Sequence, residues 1–297
     1  MKRRKFIKQT GMLLPAAMMP VPNFGFSSRR KYKMGLQLYT VRDAMEADPI
    51  GTLEQVRALG YEDLELYGFD GEKEEYYGYS AKDFKQILND SGLTTSSCHY
   101  GLPAFFDQPE AYLMAYVEKC IKGAHILGQK YITWPWLDPK FRNIESYKKL
   151  AGMLNRIGER VLAGGLGFAY HNHGFEFEDH KGEVGYDIII TETDPVLVKL
   201  QLDLYWVAHD SALSANDWFA LQPGRFVMLH IKDMHKESRD YTELGNGSIN
   251  FHPILPEAEK AGLEYYYLEQ GSNFAVNSMQ SIADSAAYFK KYLKKYL

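Results

Sequence analysis

The run Phe168-Ala169-Tyr170-His171-Asn172-His173-Gly174-Phe175-Glu176-Phe177 carries an apolar segment into two histidines and then a carboxylate. In extended backbone, residues i and i+2 project to the same side. His171 and His173 are therefore spaced to hold one divalent metal, or to divide the work, one on metal and the other on substrate. The plainer reading is a pair of polar residues closing a strand. What separates the two is whether other strands bring partners to the same place.

Strand-like segments recur near 35–39, 63–67, 94–99, 130–134, 167–171, 199–204, 226–231 and 264–269, each followed by a helix-like stretch. Such alternation means parallel strands. Eight units predict an α/β protein with a single (β/α)8 TIM barrel over residues 31–297. A doubly wound dinucleotide fold is disfavoured, because Thr40-Val41-Arg42-Asp43 follows the first strand where a G-x-G-x-x-G turn would stand. Gly60, Gly92, Gly128, Gly167 and Gly262 each precede a strand and are read as left-handed helix ends.

Alternation within the strands sorts the side chains. Leu200, Leu202 and Leu204 oppose Gln201 and Asp203; Leu229 and Ile231 oppose His230 and Lys232; Leu64 and Leu66 oppose Glu65; Tyr266 and Leu268 oppose Glu269. Leucines on the helix side put the polar set on the barrel axis, toward the strand C-terminal ends where barrel active sites lie. His171, Asp203, His230 and Glu269 then form a mixed nitrogen and oxygen set suited to one divalent ion, Mn, Co, Zn, Fe or Mg. Taken singly, an Asp at a strand end caps the next helix and a His is merely hydrogen-bonded.

Such an ion polarises a sugar carbonyl and its neighbouring hydroxyl, which eases removal of the adjacent C–H proton. Glu269 is the candidate base and Lys232 the cation beside the enediolate, with isomerisation, epimerisation or elimination as outcomes. Trp134 and Trp136 offer an aromatic wall to a sugar face. Glu65 and His99 close strands two and three and are candidate contacts to substrate hydroxyls. The long polar loop from Lys232 to Asn250 reads as a lid or binding loop, making His235 and Arg239 candidate contacts; a solvated charge run is the alternative.

A net charge of −4, with both signs interspersed, lacks the basic face that a nucleic-acid partner requires, so a small-molecule carbohydrate is the expected partner. Arg3-Arg4-Lys5-Phe6 before a short apolar stretch, too short to span a bilayer, resembles a twin-arginine export signal over residues 1–30. That predicts a periplasmic or otherwise exported protein. Cys98 and Cys120 read as buried thiols.

Six sequence marks together resemble the xylose isomerase-like barrels, which include sugar phosphate isomerases/epimerases, ketose 3-epimerases, inosose dehydratases and, more distantly, endonuclease IV-type repair enzymes. They are Leu59-Gly60-Tyr61 before Leu64-Glu65-Leu66, Tyr170-His171-Asn172-His173, Leu202-Asp203-Leu204-Tyr205-Trp206, Leu229-His230-Ile231-Lys232-Asp233, Gly245-Asn246-Gly247-Ser248-Ile249-Asn250-Phe251 and Tyr267-Leu268-Glu269. The resemblance implies metal ligation by His171, Asp203, His230 and Glu269. Ketose epimerases carry a glutamate at the strand-five position, where two glutamates act on opposite faces of the substrate. A histidine at 171 favours abstraction from one face unless Glu176 or His173 supplies the second group. A metal-dependent sugar isomerase or epimerase is the leading expectation, with a lyase or dehydratase on a keto-sugar, inosose or keto-glycoside as alternative. A non-catalytic sugar-binding barrel and a nuclease are the remaining readings.

Overall fold

The structure, a computed structural model, describes residues 32–297, so the segment read as a twin-arginine signal lies outside the described residues. Eight strands form a closed parallel barrel: β1 (Gly35–Gln37), β2 (Asp63–Leu66), β3 (Thr94–His99), β4 (Tyr131–Trp134), β5 (Gly167–His171), β6 (Lys199–Asp203), β7 (Phe226–Ile231) and β8 (Tyr265–Leu268). Each strand pairs with its sequence neighbours, and β8 closes onto β1 through Gly35 opposite Tyr267. This is the expected (β/α)8 barrel, strand for strand.

Helices follow each strand and wrap the outside. The helix Ile144–Ala163 shows why: Asn143 accepts from the Ser146 N–H at its start, and Tyr147, Leu150, Leu154, Ile157 and Val161 share one buried face. A buried leucine of this kind contributes about 1.5–3 kcal/mol relative to exposure. Gly128, at φ +80°, ends the helix Glu110–Leu127 as expected. Gly167 does not play that part. Gly165 takes the left-handed turn at φ +78°, while Gly167 opens β5, where a Cβ would lie 2.3 Å from the Tyr131 ring.

The predicted alternation holds. Leu36, Leu64, Leu66, Leu200, Leu202, Leu229 and Ile231 join the core between barrel and helices. Inside, Tyr131, Ala169, Val227, Met228 and Tyr267 form a small apolar plug. Around Glu65 lies a polar layer: its carboxylate accepts from Gln37 Nε2, Ser97 Oγ and Gln201 Nε2, each at 2.7 Å. Cys98 and Cys120 are buried free thiols.

The loop after β7 departs from expectation. Asp233 anchors it, its Oδ1 accepting from the Met234 and Ile249 N–H groups and its Oδ2 from those of Gly245 and Gly247. Asp233–Met234 also pairs antiparallel with Tyr241–Thr242. Four backbone donors converging on one buried carboxylate make this a fixed wall rather than a lid.

Candidate functional site

Above the polar layer, the strand ends bring histidines and carboxylates to the floor of a cavity of about 800 Å³. His99, His171, His173, Lys232 and Glu269 line it, with Tyr39, Tyr67, Tyr241 and Trp136 on its walls. Asp203 and His230 lie fully buried.

Two trios of ligand-type atoms meet here: Asp203, His230 and Glu269, and His99, His171 and His230. The expected four-residue set is thus split about His230. His171 falls in the second trio, its Nε2 3.8 Å from Asp203 Oδ2. In the first trio, Glu269 Oε2 lies 2.5 Å and Asp203 Oδ2 3.9 Å from His230 Nδ1. All three atoms are buried. Lys232 Nζ lies 2.6 Å from Asp203 Oδ2 and 2.7 Å from Glu269 Oε2.

Each member is held from behind. Asp203 Oδ1 accepts from the Tyr205 and Trp206 N–H groups, capping the helix Leu204–Asp210, so one oxygen caps while the other faces the trio. Asn172, the middle residue of the His-Asn-His run, accepts from the Asp203 N–H at 3.0 Å and ties β5 to β6. His230 Nε2 donates to Glu65 Oε2 at 2.5 Å. That bond orients the ring so that Nδ1 points toward the trio, the carboxylate–histidine arrangement that positions an imidazole for a metal.

The charges explain the cluster's appetite for a cation. Glu65, Asp203 and Glu269 share His230, and Asp203 and Glu269 share Lys232 as well. Burial would raise the Glu65 carboxyl, but His99 and His230 outweigh it and bring it down to about 2. Burial likewise opposes ionisation of Glu269, yet Lys232 and His230 hold it well below the usual carboxylate range. For His230, burial lowers the affinity for a proton, but Glu269 and Glu65 raise it to about 9. Burial and neighbouring histidines keep His171 well below its ordinary value, a neutral imidazole able to ligate. Three nitrogen and oxygen ligand atoms gathered at one point, now neutralised by Lys232 and the His230 proton, fit a divalent cation that would take the place of that positive charge, with neutral His171 beside them.

Several sequence candidates go elsewhere. Glu65 touches no cavity surface and serves the polar layer instead of substrate. Glu176 is fully buried, accepting from the Tyr170 hydroxyl at 2.7 Å and the His173 N–H at 2.8 Å, so it supplies no second base at the cavity. Trp134 packs in the outer core with its Nε1 on the Trp136 carbonyl, because it shares the outward parity of Ile132. Only Trp136 reaches the cavity. His235 lines a separate cavity of about 380 Å³, and Arg239 donates to the His209 carbonyl at 2.7 Å, since the Asp233-anchored loop carries both away.

Sequence reading missed Gln201 and Tyr241. Gln201 bridges His99, at 2.8 Å, to Glu65. Its parity with Asp203 was the available signal. Tyr241 reaches the wall only because its loop folds back, which no local pattern announces.

The xylose isomerase-like TIM barrel family model matches residues 53–292. The chain belongs to this family. A sugar phosphate isomerase/epimerase from Parabacteroides distasonis ATCC 8503 is 26% identical at a TM-score of 0.75, covering 93% of this chain and 99% of its own. The zinc-bound IolI protein, 16% identical at a TM-score of 0.69, covers 89% and 99%. A family barrel from Mycobacterium smegmatis in complex with magnesium, 16% identical at a TM-score of 0.65, covers 90% and 98%. The curated proteins contain no match to the chain. As a xylose isomerase-like barrel, the protein has no helix among its described residues long and apolar enough to cross a membrane.

Proposed function

We propose that this barrel is a divalent-metal-dependent enzyme acting on sugars by proton abstraction next to a carbonyl. The observation that carries the proposal is the convergence of the buried ligand-type atoms Asp203 Oδ2, His230 Nδ1 and Glu269 Oε2 beside a sugar-sized cavity. Asp203, His230 and Glu269, with His171 as the fourth candidate, would hold the metal. Its chemistry when bound is polarisation of a carbonyl and an adjacent hydroxyl oxygen. Solved barrels of this fold containing zinc and magnesium, and a 26% identical sugar phosphate isomerase/epimerase, support the reading.

Glu269 lines the cavity and is kept ionised by Lys232, which suits it to take the substrate proton. Lys232, itself held charged by Asp203 and Glu269 against the pull of burial, balances the negative charge that grows on the substrate oxygen. His173, neutral and at the cavity wall, is the group left to pass a proton to or from a substrate oxygen. With Glu176 turned away, the described residues lining the cavity include no second glutamate. That asymmetry favours aldose–ketose isomerisation, or elimination from a keto-sugar as the alternative, over a symmetric two-glutamate epimerisation.

The deciding experiment incubates the metal-loaded protein with ketoses, inososes and keto-glycosides in deuterated water. Deuterium should enter next to the carbonyl with wild type and be strongly suppressed in Glu269→Gln. Absence of metal and of exchange across that panel would sink the proposal. An exported address, read from Arg3-Arg4-Lys5-Phe6, belongs to the same proposal; recovery of the protein solely from the cytoplasmic fraction would remove it.

A further inference from the structure

A second cavity of about 460 Å³ shares two of its walls, Trp136 and His173, with the main one. Its other walls mix rings with charged groups: Phe175, Phe177 and Trp206 beside Arg142, Glu178 and Asp210. The Arg142 guanidinium lies 3.7 Å from the Phe175 ring centre and 5.8 Å from that of Trp136, with its Nε donating to the Leu137 carbonyl at 2.9 Å. That bond fixes the cation beside both rings. Two polar atoms of its lining residues, His173 Nδ1 and Trp206 Nε1, are buried without a hydrogen-bond partner. A buried donor left unpaired costs about 1–3 kcal/mol, so a ligand that satisfies it is favoured. Gly174 is part of this wall and packs closely on it, since a Cβ there would lie 1.9 Å from Asp210 Oδ2 and 2.8 Å from the Trp206 ring, so a side chain at this position would push either group into the chamber.

We infer that the substrate carries two linked rings, the reacting sugar over Glu269 and Lys232 and a second, glycosidically joined sugar ring in the chamber of Trp206, Phe177 and Glu178. Aromatic faces take the C–H face of a pyranose, and carboxylates, guanidinium and an indole N–H take its hydroxyls. The main cavity, already near the upper end of the about 300–1,000 Å³ common for small-ligand sites, thereby extends into a chamber of matching chemistry. None of the second-chamber residues Phe177, Glu178 and Trp206 touches the metal-ligand trio through its side chain, so the chamber recognises and does not react. The inference rests on the sugar-acting reading and names its substrate class as glycosides rather than free monosaccharides.

The test is calorimetric titration of the full chain with glucose-, galactose- and xylose-containing disaccharides, each beside its own monosaccharide. At least one disaccharide should bind about tenfold more tightly than its monosaccharide. Trp206→Phe, which keeps the ring and loses the N–H, and Glu178→Ala should each weaken that disaccharide about three- to tenfold and leave the monosaccharide within about twofold. Thermal melting of each variant controls for folding. Equal affinities, no binding of any disaccharide, or equal loss for both ligands would overturn the inference. Because the readout is affinity, its failure is separable from that of the reaction: deuterium exchange with no disaccharide preference removes only the second-ring chamber, and preference without exchange removes only the chemistry.

Discussion

Two buried glutamates in this barrel meet opposite fates. Glu65 accepts hydrogen bonds from Gln37, Ser97, Gln201 and His230, and every neighbour donates toward it. Glu269 instead turns Oε2 to two cationic partners, Lys232 Nζ at 2.7 Å and His230 Nδ1 at 2.5 Å, beside the carboxylate of Asp203. Burial is alike; the partners are not. A shell of fixed donors makes a scaffold, whereas carboxylates gathered on exchangeable protonated partners make a seat for a metal ion. The layer of Glu65 orients, and the layer of Glu269 acts.

The largest test of this contrast is Glu269→Gln, expected to lower substrate C–H exchange by about 10²–10⁴-fold with the fold intact, measured by deuterium incorporation and melting temperature. If exchange survives, the acting layer is misassigned. Asp203→Asn should abolish stoichiometric metal retention in elemental analysis of the purified protein, because it removes one of the charges of the trio; dialysis of wild type against a chelator should suppress exchange and re-addition of the ion restore it. Glu65→Gln sits one layer back. It should cost about 10–100-fold in metal affinity through loss of the His230 orientation, read by competition titration, and a loss as large as that of Asp203→Asn would erase the distinction between layers.

The smallest effect on activity falls on Glu176. Its replacement by Gln should leave exchange within about twofold, since it faces Tyr170 and not the cavity. Stability should respond instead. Burial raises this carboxyl from 4.5 to about 7, against the lowering by Tyr170 and the His173 N–H. A folded value above the unfolded one favours the protonated form on folding, so wild-type stability falls as pH rises from about 4.5 to about 7, by about 3 kcal/mol at most. In Glu176→Gln that part of the slope should vanish, with the Tyr170 hydroxyl reversing its role, and urea titrations at pH 5 and pH 8 measure it.

Which candidates reached the site follows from how their positions were inferred. Residues on strands were placed by alternation, and His171, Asp203, His230, Lys232 and Glu269 all arrive at the mouth as that pattern requires. Trp134 was legible by the same rule, two residues from outward-facing Ile132, and belongs to the outer core. Glu176, His235 and Arg239 sit beyond strand ends, where no period constrains direction. Asp233 shows the limit clearly: its carboxylate gathers four backbone donors up to sixteen residues away and so turns an expected lid into a wall.

The amino-acid sequence by itself determined the eight-stranded parallel barrel, the side on which leucines pack and the chemical types collected at the strand ends, because these depend on local periodicities of two and of about 3.6 residues. Only the tertiary structure decided which atoms meet. That Lys232 spans Asp203 and Glu269, that His230 turns one nitrogen to Glu65 and the other to the trio, and that a second aromatic chamber opens beside Trp136 and His173 all depend on barrel closure. Closure brings together residues far apart in the chain, Gly35 beside Tyr267 and Glu65 bonded to His230 across 165 positions, and no window of sequence contains both ends.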